Sequence, residues 1–305
     1  MTRTRVLQVL AGFWILDGLL QLQPAMFTMA MIQSVMQPET TGQPVWMQEI
    51  VRWVIAVLSW NLPLANGLIG GIQLLLGAAL LWRGRERTWP LWASLVWAAL
   101  LWIFGQGLGG VLTGQASLLS GAPGSAVLYA LLTWAAWPLP APSDSGREGC
   151  RREAVAVCLG ALWALGAVLQ TWPSFLPRSG LTGLVLGAAN GQPAWLSHLL
   201  HWGAAGIGRA PVATNAAAVI LMALIAAGIW SAGRLRRPAL LLSLAFSAWA
   251  WLFGQALGGI FSGMATDPNS APLYAVVALS VWGPGIPTAN AGSAGPGCPV
   301  RSPGA

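Results

Sequence analysis

Phe104-Gly105-Gln106-Gly107-Leu108-Gly109-Gly110, followed by Thr113 and Gly114, returns as Phe253-Gly254-Gln255-Ala256-Leu257-Gly258-Gly259, followed by Ser262 and Gly263. The copies lie 149 residues apart, and the same offset carries Trp14 to Trp163, Gln21 to Gln170, Pro24 to Pro173 and Gln43-Pro44 to Gln192-Pro193. It also carries Trp53 to Trp202 and Asn66 to Asn215. An offset kept from the first helix of each half to the last is a duplication, and its period is far too long for a solenoid unit. Each copy is therefore expected to be a bundle in its own right. The register slips near Pro63 and Pro211, near the arginine loops, and before Leu128-Tyr129 and Leu273-Tyr274.

Composition places the chain in a bilayer. With 56% hydrophobic residues, 8% charged residues and 19 tryptophans among 305, there are too few charges to cover a soluble globule. The net charge of +7 comes from fifteen arginines and no lysine, set in short clusters between apolar runs. That pattern sets topology and is not a nucleic-acid footprint, so no nucleic-acid partner is expected. Cys150, Cys158 and Cys298 lack metal-ligand spacing, and no disulfide is expected among them.

The fold expected is all-α and polytopic: two tandem four-helix bundles, eight spans in all, with interfacial helices. In the first copy, residues 1–138, the runs are about Val6 to Gln23, Leu64 to Trp82, Pro90 into the opening motif, and Ala126 to Trp137. The first of these stays as a helix, because no cleavage site follows it and its mate lies deep inside the chain. Trp46, Trp53 and Trp60 recur every seven residues, as on a helix lying at headgroup depth. A cytoplasmic linker is expected over 139–153. The second copy, 154–284, repeats the plan with runs at about Ala154 to Trp172, Val212 to Trp230, Pro238 to Ile260 and Pro272 to Trp282, and an interfacial helix near Trp195 to Trp202. The tail 285–305 is rich in glycine, proline and alanine and reads as disordered.

Alternating the sides of these spans puts twelve arginines on one side and only Arg52, Arg178 and Arg209 on the other. The positive-inside rule then makes both termini cytoplasmic, in a multi-pass protein of the inner (cytoplasmic) membrane. An even span count per copy relates the halves by an axis along the membrane normal, unlike the inverted repeats of many transporters.

Helix rise puts Gln21, Asn66 and Gln106 roughly 22 to 25 Å above the cytoplasmic side, and Gln170, Asn215 and Gln255 at the same level in the second copy. Carboxamides in hydrocarbon need partners, so these six are expected to face one another or a wet cavity. On a continuous helix, Gln106, Gly110 and Thr113 share a face with Trp102 and Ala99, while Gly105 and Gly109 form a small-xxx-small pair; Ser262 takes the place of Thr113 in the other copy. The layer reads either as an interhelical amide clamp or as a pocket for a polar headgroup, open to the outer face. The glycine run resembles a nucleotide loop in letters alone, for it follows no strand.

Asp17 is the one carboxylate inside an expected span, and its mate is Gly166. It reads as a proton carrier or cation ligand, or as a neutral acid hydrogen-bonded to Gln21 or an indole. His198 and His201 share a helix face at i, i+3, a spacing that can hold a metal if further ligands are supplied. No nucleophile, base and acid set lies within the spans, so no catalytic activity of its own is expected of the chain, and no cofactor can be named.

Gly12-Phe13-Trp14-Ile15-Leu16-Asp17-Gly18-Leu19-Leu20-Gln21, a second helix ending in an arginine cluster, and four helices per unit resemble the DoxX and DoxD group of small membrane proteins. The resemblance implies a membrane subunit associated with redox chemistry. The function expected is thus an accessory subunit or binding protein of a respiratory complex, contacting lipid, quinone and other membrane subunits. A small-solute or proton-coupled transporter using Asp17 is the alternative, and a structural membrane scaffold is a third.

Overall fold

The computed structural model describes residues 1–82, 88–138, 145–231 and 233–282. It is all-helical, with no strand among the described residues. The first copy contains α1 (Arg3–Gln21), α2 (Val45–Trp60), α3 (Leu62–Leu81), α4 (Trp89–Leu100) and α5 (Ser125–Ala135). The second contains α6 (Ser145–Leu169), α7 (Gly180–Ala188), α8 (Ala194–Gly208), α9 (Pro211–Trp230), α10 (Arg236–Trp249) and α11 (Ser270–Val281). Among the described residues four helices are long and apolar enough to cross a membrane: Leu62–Leu81, Gly146–Leu169, Pro211–Trp230 and the composite Arg236–Gly254. Trp89–Gly105, Ser125–Ala135 and Ser270–Val281 are apolar but shorter.

Small residues set the closest helix crossings. α1 lies on α3 with Gly18 against Gly70 and Gly77 against Ala11, where an added Cβ on Gly77 would sit 2.5 Å from Ile15 Cγ1. Its counterpart pairs α6 with α9, where Gly160 receives the Trp230 indole. The largest apolar cluster runs through both copies, with Trp14, Tyr129, Trp163 and Tyr274 fully buried in it and α5 packed on α11 across the junction. Trp46, Trp53 and Trp60 of α2 are all exposed, as are Trp195 and Trp202 of α8, so the tryptophan stripes face outward as their spacing anticipates.

Arginines gather where α1 and α6 begin and α5 and α9 end. Arg236 pairs with both Glu153 oxygens at 2.5 and 2.6 Å, while Arg3 donates to the Ala136 carbonyl, Arg151 to the Trp137 carbonyl and Arg236 Nε to the Ile229 carbonyl at 2.9 Å. Such donors close the carbonyls that helix C-termini leave open.

Four expectations change. The second half of the linker is helix, since α6 begins at Ser145; residues 139–144 and the tail from 283 lie outside the described residues. Cys150 is disulfide-bonded and Cys158 is free, so the expectation of no disulfide is corrected. α7 has no place in the sequence reading; its counterpart is a single turn, Met29–Met31, widening over Ile32–Met36.

The largest change concerns the opening motif, which does not continue the third helix. α4 ends at Leu100, the chain widens to an i to i+5 turn over Leu101–Gly105 closed by Gln106 N–H on Leu101 O at 2.8 Å, and a left-handed turn follows. Gly107, Leu108, Gly109 and Gly110 have φ of 48, 58, 63 and 67°. Ala256, Leu257, Gly258 and Gly259 repeat this at 46, 56, 72 and 66° after the same widened turn at Ala250–Gly254. Left-handed backbone costs an L-residue about 1–2 kcal/mol, which accounts for the glycines and makes Leu108, Ala256 and Leu257 locally strained. The helical face expected to join Gln106, Gly110, Thr113, Trp102 and Ala99 therefore does not exist, nor does the Gly105–Gly109 pair.

Candidate functional site

The left-handed turns shape a cavity of about 870 Å³ at the pole opposite the arginines. Its wall comes from four segments, 34–43, 105–125, 188–192 and 254–269, two from each copy. Each turn is fastened by the same four contacts. The Trp102 and Trp251 indoles donate to Pro123 O and Pro268 O at 2.8 and 2.9 Å. Thr113 and Ser262 hydroxyls donate to Gly110 O and Gly259 O, both at 2.7 Å. The motif glutamines cap the following helix, Gln106 Oε1 accepting from Ala126 N–H at 3.3 Å and Gln255 Oε1 from Ala271 N–H at 3.1 Å. Their amide groups donate to Ser125 and Ser270 hydroxyls at 2.7 and 3.1 Å.

The six-carboxamide layer is present only in part. Gln170 Nε2 donates to Asn215 Oδ1 at 2.7 Å, whereas Asn66 Nδ2 reaches only the Gln21 backbone carbonyl at 2.7 Å, so two side-chain amides meet in the second copy alone. Gln106 and Gln255 do not join them, because the widened turn carries them to the cavity and the caps. Thr113 and Ser262 likewise brace the turns and make no interhelical bond. The second copy's pair is better satisfied: Gln170 Oε1 accepts from Ser117 at 2.5 Å, whereas Gln21 Oε1 is buried with no partner.

Two carboxylates that sequence reasoning passed over complete the wall. Asp267 accepts from Ser125 Oγ at 3.0 Å, Gln106 Nε2 at 3.4 Å and Asn269 N–H at 2.6 Å. Glu39 stands over the first turn, where a Cβ on Gly107 would come within 3.3 Å of its Oε2. Burial at the cavity wall raises the Asp267 carboxyl above its ordinary range, against the hydrogen bonds that lower it. Burial, and then the like charge of Asp267, push Glu39 up to about 7. No signal in a linear reading brings residue 39 of one copy to residue 267 of the other; the fold alone does so.

Below the cavity, α5 carries a polar face at every fourth residue: Ser125, Tyr129 and Thr133. Tyr129 OH donates to Asp17 Oδ2 at 2.5 Å, so the partner of Asp17 is neither Gln21 nor an indole. Asp17 is buried and its Oδ1 has no partner. Thr133 Oγ1 lies 3.0 Å from Ser94 Oγ, which accepts from the Trp14 indole at 2.9 Å. The second copy keeps Trp163, Ser243 and Tyr274 but has Ala278 in place of Thr133, and it loses the bonds. Gly166 replaces Asp17, and Tyr274 OH, Trp163 Nε1 and Ser243 Oγ are buried without partners.

His198 and His201 are both exposed on α8, and His201 Nδ1 lies 2.8 Å from Ser197 O. Among the described residues no third acidic, cysteine or histidine side chain joins them. The metal site that their spacing admits thus has two ligands among the described residues. No family model, no curated protein and no solved structure matches the chain, so the site is read from its own chemistry.

Proposed function

We propose that the chain is a multi-pass inner-membrane binding protein, accessory to a respiratory or redox assembly, whose cavity receives a polar headgroup of lipid or quinone. The observation that carries this reading is the cavity itself: about 870 Å³, built by duplicated turns, and lined by Gln43, Gln106, Gln192 and Gln255 from both copies. A clamp between helices would need no such space, and a scaffold no strained backbone held by repeated contacts. The DoxX-like layout of the first helix fits a subunit of that kind. Native-membrane purification followed by mass spectrometry of retained lipid and quinone is expected to find a bound molecule in the wild type that is lost from Gln192→Trp, which fills the cavity. Equal retention in the variant, or none in either protein, sinks the reading.

The same reading takes the two copies as four-span bundles, the shorter helices α4, α5 and α11 crossing together with the loops that extend them. Both termini are then cytoplasmic and the cavity opens outward, a topology that the arginine imbalance supports. Reporter fusions at Ser145 and Ser270 are expected to report opposite sides of the membrane. A common side for both would overturn the eight-span arrangement.

A proton-coupled transporter is the second reading. What favours it is the Tyr129–Asp17 bond, one helical turn below Ser125 in the cavity wall.

A further inference from the structure

We propose that the cavity is an ammonium-binding site, taking a primary amine between Glu39 of the first copy and Asp267 of the second. The proposal rests on the binding reading above and names the ligand chemistry.

Charge gives the first argument. The chain carries a net +7, yet no arginine, lysine or histidine is in the cavity wall, which holds two carboxylates. Glu39 has no hydrogen bond or ion pair among the described residues. Two carboxylates facing one space each disfavour ionisation of the other, and a bound cation reverses that penalty.

Hydrogen-bonding capacity gives an independent argument. Gln43 lies in the wall at 4% exposure, its Nε2 donates to Gly107 O at 2.7 Å, and its Oε1 has no donor. Gln192 Oε1, its mate in the second copy, is also buried and unpartnered. The amide groups of Gln106 and Gln255 already donate to protein acceptors. Two buried acceptors in the wall, Gln43 Oε1 and Gln192 Oε1, thus lack a donor among the described residues, and a primary ammonium supplies three in a compact charge. Anionic ligands meet two carboxylates, and a neutral carbonyl ligand adds acceptors to acceptors.

Asymmetry gives the stoichiometry. The offset of 149 carries Glu39 to Ala188, so the second copy has no equivalent acid and the protein has one site, shared between copies.

The chemistry is common to a free small amine and to the headgroup of an ethanolamine lipid. Calorimetry on the full-length protein in maltoside micelles separates these, using ethanolamine against ethylene glycol, and added phosphatidylethanolamine against phosphatidylglycerol. Binding of either amine in preference to its hydroxyl counterpart is expected, the responding arm identifying the source. Wild-type binding is expected to strengthen as pH rises through about 7, because Glu39 loses its proton there and becomes the counter-charge. Glu39→Gln is expected to weaken binding roughly tenfold at pH 8, as loss of a partly buried opposite charge does, with an unchanged melting temperature, and Glu39→Asp to retain most of it. If the hydroxyl compounds bind as well as the amines, the ammonium proposal falls while the cavity reading stands. If calcium binds and amines do not, the proposal also falls. If nothing binds and native preparations retain nothing, both fall together.

Discussion

Gly109→Ala is expected to leave little folded protein, with a loss of roughly 2–5 kcal/mol, whereas Gly110→Ala beside it loses about 1–2 kcal/mol. Both positions are left-handed, at φ of 63 and 67°. They share that cost, so the difference isolates contact. A Cβ on Gly109 would lie 1.9 Å from Pro123 O and 2.1 Å from its carbonyl carbon, backbone atoms fixed by the start of α5. A Cβ on Gly110 meets nothing nearer than 3.9 Å, the Thr113 methyl. Gly258→Ala repeats the first case, at 2.4 Å from Pro268 O. Folded yield and thermal unfolding in detergent measure this, and equal losses at 109 and 110 would show that close packing of the turn on the following helix is not what holds the motif. The effect is expected to exceed any cavity substitution, because the turn fixes both the wall and the entry to α5.

The duplication was legible because its offset is written in bulky and polar residues that do not interchange easily, Trp14 with Trp163 and Asn66 with Asn215. Helices α1, α3, α6 and α9 followed from apolar length. The motif itself was misread. A stretch bounded by apolar helix and rich in glycine satisfies the small-xxx-small pattern and the left-handed turn equally well, and only the contacts at Pro123 and Pro268 decide between them. That single misreading displaced Gln106 and Gln255 from the predicted layer; on the unbroken helices Gln170 and Asn215 meet side chain to side chain, whereas Asn66 reaches only the Gln21 backbone carbonyl. Glu39 and Asp267 were missed for a different reason: each is an ordinary loop acid in sequence, and their convergence depends on how one copy packs against the other. Asp17 was found by its cost, since an acid in an apolar run has few bland explanations. Its partner was not, although Leu128-Tyr129 and Leu273-Tyr274 had already aligned the last helices of the copies.

The two copies supply their own control for that partner. Tyr129→Phe is expected to cost about 1–2 kcal/mol, the upper range for hydrogen bonds between membrane helices, because it leaves Asp17 Oδ2 buried with no donor while Oδ1 already lacks one. Ring packing is kept, since Phe preserves the stacking on Trp14, whose centroid lies 4.2 Å away at 26°. Tyr274→Phe removes a hydroxyl that has no partner in the described structure, so its expected effect is near zero or slightly stabilising. Thermal unfolding of both variants in the same micelle reads the difference directly. Asp17→Asn on its own keeps an acceptor for Tyr129 and is expected to change stability little, whereas the double variant with Tyr129→Phe should lose about what Tyr129→Phe loses, for the donor is what is missing. Equal responses at 129 and 274 would mean that the Asp17 bond contributes nothing, and the case for a working acid beneath the cavity would go with it. Unequal responses would locate the functional divergence of the duplicated halves at one hydrogen bond, made in the copy that kept its acid and lost in the copy that holds glycine.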